Sequence, residues 1–200
     1  AFPIGELRLF ASRRSVGQGI RWKGRDYPVE ALVDGRFDGL DVVISATSAS
    51  IAREWAPRMV ASGAVVIDQS SAFRLDPAVP LVVPEINRGD IANHAGIIAG
   101  PNCTTAVAVM AVAPLERAVG IRSIISSSYQ STSGGGRDAI AEFLDLSGKA
   151  VDQPEALRGH EALKLPAPQQ FPQVPAFNVF PQCETFRDGA QMGPGLSCCW

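Results

Sequence analysis

Cys103 stands in Gly100-Pro101-Asn102-Cys103-Thr104-Thr105, between an apolar run, Ala95 to Ala99, and an Ala/Val-rich stretch, Ala106 to Val119. The run has the character of a strand and the stretch that of a helix, so the cysteine marks a strand–turn–helix junction. A sulfur placed there meets the positive end of the helix dipole and free N–H groups, which favour thiolate over thiol. Thiolate is the form a nucleophilic cysteine needs. A buried, inert cysteine fits the same hexapeptide. Arg74, in Ser70-Ser71-Ala72-Phe73-Arg74, follows a hydroxyl-rich strand end. A guanidinium there gives a phosphate bidentate, charge-assisted hydrogen bonds, and a surface arginine after a turn has the same surroundings. Ser12, Arg14 and Ser15 lie in a basic, hydroxyl-bearing loop after the alternating segment Glu6 to Ala11. Such a loop suits an adenosine 2′-phosphate, but the residues by themselves favour a solvated turn. In Ser131-Thr132-Ser133-Gly134-Gly135-Gly136-Arg137 a glycine-rich turn opens a helix. Ser133 and Gly134 there can offer backbone N–H groups to an anion or admit a cofactor closely, although flexible turns look alike.

The elements that must carry these residues alternate strand and helix. Asp41 to Ala46 is a continuous apolar run of the kind buried on both faces of a parallel sheet. Thr47 to Ser50 caps a helix reaching about Ala61 and ended by Gly63, and Ala64 to Asp68 is the next strand. Short links between them predict a doubly wound sheet, whose ligands gather at the strand C-termini. Ser45, Ser48 and Ser71 therefore fall on the cofactor side, or in ordinary strand-end turns. Leu81 to Asn87 reads as a short strand with its exit loop, and Arg122 to Gln130 as a strand. Asp138 to Leu146 reads as a helix, Pro114 as a candidate kink, and Gln153 to Pro181 as a proline-rich stretch.

Composition narrows the chemistry. The 200 residues are 46% apolar with a net charge of −2, enough to bury a core and with no basic surface for nucleic acid or anionic membrane. No apolar run approaches the ~20 residues of a membrane span. No signal segment opens the chain. Four cysteines without ligand spacing and only two histidines argue against a metal site. A cytoplasmic, reducing location is expected. His94 and His160 read as surface or structural, and Cys183, Cys198 and Cys199 as incidental.

GPNCTT, with IDQSSAFRLDP before it and SSSYQSTSGGGRDAI after it, resembles aspartate-β-semialdehyde dehydrogenase from about Phe2 to Asp188. Cousin Cys-Thr motifs occur in other acyl-phosphate reductases, but the three motifs in this order are more specific. The resemblance implies an α/β fold: a truncated Rossmann-like NADP-binding domain over residues 1–102, then part of an α+β catalytic and dimerisation domain over 103–200. It implies reversible, NADP-dependent conversion of L-aspartyl-4-phosphate to L-aspartate-4-semialdehyde, on the route to lysine, threonine and methionine. It assigns the nucleophile to Cys103, phosphate binding to Arg74 and Asn102, and orientation of the acyl group to Gln130. It gives Ser12, Arg14 and Ser15 the choice of NADP over NAD, and reads Pro175 to Pro181 as a linking strand. The implied partners are a small-molecule substrate, phosphate and a second copy or more of the chain.

Against that pattern the chain reads as a fragment. A glycine-rich pyrophosphate loop would precede Ala1, and the general-base histidine, the substrate-carboxylate arginine and a phosphate-site lysine would follow Trp200. Gly189 to Trp200 no longer follows the family and looks like a truncated or frame-shifted tail. Without its base the reaction would lose about 10²–10⁴-fold. Two other readings stay open: an N-acetylglutamyl-phosphate type reductase, expected to carry Gly before and Tyr-Pro after its cysteine, and a non-catalytic fragment that associates with intact subunits.

Overall fold

The computed structural model describes residues 3–33, 36–159 and 161–180. His160, Cys183, Cys198, Cys199 and the tail 189–200 lie outside the described residues. The chain divides into two compact units, Ala1–Val82 with Gly89–Gly100, and Val83–Arg88 with Pro101–Trp200.

The first unit is built on two three-stranded sheets. In one, β1 (Leu9–Ala11) pairs parallel with β3 (Arg25–Ala31), and β2 (Gly19–Trp22) pairs antiparallel with β3. The other is wholly parallel, in the order β4 (Val42–Ser45), β5 (Val65–Asp68), β6 (Ile97–Ala99). Leu81 adds a single parallel bridge to Ala99, so the short strand expected at Leu81 to Asn87 is reduced to one contact. Its remainder, Pro84–Asn87, is a short helix, α2, with proline in the first turn where its missing N–H costs nothing. Between β4 and β5 runs α1 (Ala49–Ala61), which ends where Gly63 takes a φ of +95°, open to glycine without strain. Ser48 holds the N-cap position of α1 in extended backbone but makes no side-chain cap bond. The core joins α1 to both sheets: Phe37, Ala56, Met59 and Val66 are buried, with Phe10, Trp55 and Ile97 packed around them. Phe37 meets Phe10 and Trp55 edge to face, at centroid distances of 5.6 and 5.9 Å.

The second unit carries α3 (Cys103–Val119), α4 (Gly136–Val151) and the short α5 (Pro154–Leu157). α3 starts three residues earlier than the Ala/Val run suggests, because Asn102 supplies its cap, and it continues past Pro114. α4 exceeds the expected Asp138 to Leu146 at both ends. Leu146, Ala150 and Ala176 form a small core with Leu163, Leu165 and Val174 against them. The Gln153 side chain ties the segment after α5 in place, donating to Lys164 O at 2.9 Å and accepting from Lys164 N at 2.9 Å.

Two expected strands do not form. Residues 122–130 have no ladder partner among the described residues, and Ile124, Ile125 and Tyr129 are exposed. Alternation marks which faces a strand would present, but a strand exists only when another pairs with its backbone. The described part of the expected linking strand, residues 175–180, is likewise turn and coil. Among the described residues no helix is long and apolar enough to cross a membrane, and no three His, Cys, Asp or Glu side chains gather as a metal site.

Candidate active site

The site residues fall on both units. In the first, they collect where the parallel strands end. Ser45 closes β4, is buried, and shares a hydroxyl–hydroxyl hydrogen bond of 3.2 Å with Thr47. Ser48 bonds Ser50 through their hydroxyls at 3.0 Å, and Ser71 is exposed. Asp68, the last residue of β5, is fully buried and accepts from Ser70 Oγ at 2.7 Å. Ser70 Oγ accepts in turn from Ala72 N at 3.0 Å, folding the chain sharply after the strand.

That turn delivers Arg74. Its Nη2 donates to Gln69 O at 2.8 Å and its Nε to Gly100 O at 2.9 Å. One planar guanidinium thus ties together the ends of the neighbouring strands β5 and β6. Gly100 gives the Gln69 side chain its space: a Cβ there would lie 2.6 Å from Gln69 Oε1. The sequence pointed to Arg74 but gave no sign of these two backbone acceptors, since both depend on the register of β5 against β6.

Beyond β1 the loop forms a 3₁₀ turn, Arg13–Ser15, with Ser12 at its N-cap. Ser15 N donates to Ser12 O at 2.9 Å. This closes the turn on its own backbone and leaves the Ser12 and Arg14 side chains exposed and Ser15 half-buried. An exposed guanidinium flanked by hydroxyls at a strand C-terminus fits a phosphate monoester by charge and by donor geometry.

In the second unit three predicted residues come together. Asn102 is the buried N-cap of α3: its Oδ1 accepts from Thr104 N at 2.9 Å and from Thr104 Oγ1 at 2.6 Å. Asparagine serves here because a short side-chain oxygen reaches the first unbonded N–H groups of the helix. Cys103 follows as the first residue of α3, its thiol exposed and in no disulfide. Its Sγ lies 3.8 Å from Asn102 Oδ1 and 3.7 Å from Gln130 Oε1, within reach of weak S–H donation to either oxygen. Gln130 is brought back to the cysteine from the far end of segment 122–130, which has no regular secondary structure. Thr104 belongs to the same network through its hydroxyl. A threonine two positions after a capping asparagine is the signal that could have found it.

After Gln130 the glycine-rich segment is a 3₁₀ turn, Thr132–Gly135, capped by Ser131. Gly134 N donates to Ser131 O at 2.9 Å and Ser133 N to Ser131 Oγ at 3.3 Å. Both N–H groups expected to face an anion are thus engaged within the turn. The chemistry of this cluster is that of an accessible sulfur with a neutral amide beside it, able to orient a carbonyl without adding charge.

Known proteins resemble this chain along almost its whole length. The family model described as "Semialdehyde dehydrogenase, NAD binding domain" matches residues 1–94, and "Semialdehyde dehydrogenase, dimerisation domain" matches residues 112–194. The aspartate-semialdehyde dehydrogenase of Aquifex aeolicus is 40% identical over 188 residues, 92% of this chain and 53% of the relative. That of Synechocystis is 41% identical over 180 residues, 90% of this chain and 50% of the relative. Among solved structures, aspartate semialdehyde dehydrogenase II from Vibrio cholerae superposes with a TM-score of 0.79 at 37% identity, over 94% of this chain and 53% of that one. The chain spans about half the length of the curated relatives it matches. The likeness supports the mixed α/β, Rossmann-like reading of the parallel sheet.

Proposed function

The chain belongs to the semialdehyde dehydrogenase family, and from that premise we propose that it forms part of an NADP-dependent aspartate-semialdehyde dehydrogenase. The observation that carries this reading is the Asn102–Cys103–Gln130 cluster, with an exposed thiol on the first turn of a capped helix. A Vibrio cholerae relative, 36% identical with a TM-score of 0.80, was solved as a complex with ASA.

In the proposed reaction the Cys103 thiolate attacks the acyl carbon of L-aspartyl-4-phosphate. A C–S bond forms, the C–O bond to phosphate breaks, and phosphate leaves a thioester on the cysteine. NADPH, when bound, would supply a hydride to the thioester carbon; the C–S bond then breaks, releasing L-aspartate-4-semialdehyde and returning the thiolate to Cys103. Gln130 orients the acyl group through its amide. Backbone N–H groups at the start of α3 face the oxyanion of the tetrahedral intermediate. Arg74 and Asn102 hold the phosphoryl group. Ser12, Arg14 and Ser15 take the adenosine 2′-phosphate, in keeping with the exposed Arg14 side chain beyond β1. Ser45, Ser48, Ser71, Ser133 and Gly134 line the rest of the cofactor's path.

The proposal extends to assembly as at least a homodimer, to a cytoplasmic setting, and to a place in lysine, threonine and methionine synthesis. α3 supports the dimer: it is strongly apolar yet buries only Thr105, with Val107 and Val119 exposed. An apolar helix of this kind is one that a partner covers. The test is phosphate-dependent oxidation of aspartate semialdehyde with NADP⁺ by the protein that carries this sequence. Cys103→Ser should abolish turnover and Cys183→Ser should leave most of it. Turnover that persists in Cys103→Ser would refute the assignment.

A further inference from the structure

We infer that Gly134 is a positioning residue, which by having no side chain gives the Gln130 amide its place beside Cys103. A Cβ at Gly134 would lie 2.0 Å from Gln130 Nε2, 2.8 Å from its Cδ and 3.1 Å from its Cγ. Non-bonded carbon and nitrogen atoms do not approach so closely, so even a methyl group at position 134 must displace the amide. The other end of the same amide, Oε1, is the atom 3.7 Å from Cys103 Sγ. Displacing the amide from Gly134 therefore displaces it from the sulfur.

The amide yields rather than the backbone, because the turn is held without it. Gly134 N donates to Ser131 O at 2.9 Å, and Ser131 and Ser133 share a hydroxyl–hydroxyl hydrogen bond of 3.0 Å. Gln130, by contrast, reaches the sulfur at the end of three rotatable bonds. Conformation does not explain the glycine. Gly136 takes a φ of +85°, where a side chain is strained, whereas Gly134 is not among the glycines of positive φ. Alanine can therefore adopt the Gly134 backbone, and what the site uses is the glycine's smallness. The inference rests on the reading of Cys103 as the reacting thiol and adds the residue that sets its neighbour.

The experiment is alkylation of Cys103 by iodoacetamide, followed peptide by peptide with mass spectrometry, in the protein carrying this sequence. Wild type, Gly134→Ala, Gln130→Ala and the double variant are compared. Gln130→Ala should change the Cys103 rate constant by about 2- to 10-fold, the effect of one hydrogen bond. Gly134→Ala should change it in the same direction by a similar factor. The double variant should match Gln130→Ala alone, because with the amide gone the new methyl group has nothing to displace. Multiplying effects, or a wild-type rate in either single variant, would overturn the inference. A Cys103 that reacts no faster than Cys183 in the wild type would instead overturn the nucleophile reading beneath it. Should Gly134→Ala fail to fold, folding of the double variant supports the inference, and its failure to fold overturns it.

Discussion

Asn102 ties the stability of α3 to the chemistry of its first residue, and two substitutions separate the roles. Asn102→Ala removes the Oδ1 that accepts from Thr104 N at 2.9 Å and from Thr104 Oγ1 at 2.6 Å. Loss of an N-cap costs about 1 kcal/mol. Loss of the second, part-buried hydrogen bond adds about 1 kcal/mol. A destabilisation of about 2 kcal/mol should lower the melting temperature by about 4–8 °C for a chain of this size. Asn102→Asp keeps both acceptors and places a negative charge at the helix N-terminus, a gain of about 0.3–1 kcal/mol that desolvation of the buried carboxylate partly offsets. It should therefore retain most of the wild-type stability. The same charge sits 3.8 Å from Cys103 Sγ in the wild-type geometry. Between a buried carboxylate and an exposed sulfur at that range it opposes the thiolate by about 1–4 kcal/mol, so alkylation at neutral pH should slow by at least about fivefold. Thermal unfolding by circular dichroism and peptide-resolved alkylation read the two effects separately. Melting of Asn102→Ala within about 1 °C of wild type would refute the cap argument. Undiminished Cys103 alkylation in Asn102→Asp would refute the electrostatic one.

Three further outcomes are expected. Arg74→Lys cannot span Gln69 O and Gly100 O with one planar fork, so the apparent KM for phosphate should rise steeply in the semialdehyde-oxidising direction; an unchanged phosphate KM in Arg74→Ala would remove the residue from the site. Ser70→Ala deprives the buried Asp68 of its 2.7 Å donor, and Asp68 Oδ1 already has no hydrogen-bond partner among the described residues, so urea titration should show a loss of about 1–3 kcal/mol. Arg8 grips Glu30 through two hydrogen bonds of 3.0 and 2.9 Å, which hold the Glu30 carboxyl below its ordinary value of 4.5. Because the folded value is the lower one, this contribution is present above pH 4.5 and is lost as the pH falls through the folded value. For a surface pair it amounts to about 0.5–1 kcal/mol, and Glu30→Gln should flatten that part of the stability–pH curve; an identical acid limb in the variant would contradict the assignment.

Much of this was legible in the sequence because it is local. The apolar runs at Val42, Val65 and Ile97 become the three parallel strands, and the intervening Ala49–Ala61 becomes a helix. Hydrophobic periodicity and glycine stops report on backbone geometry a few residues at a time. GPNCTT likewise marked a strand, a turn and a helix start around Cys103. Pairing is not local. Residues 122–130 carry a strand's alternation and form none among the described residues, since backbone N–H and C=O groups need a second strand that no pattern within the segment supplies. Only the tertiary structure showed that Arg74 bonds two backbone carbonyls at adjacent strand ends. It alone set the Gln130 amide between Cys103 and the bare Cα of Gly134. Each depends on distances of a few ångströms between residues far apart in sequence or folded back across a turn, and those distances are fixed by packing rather than by residue order.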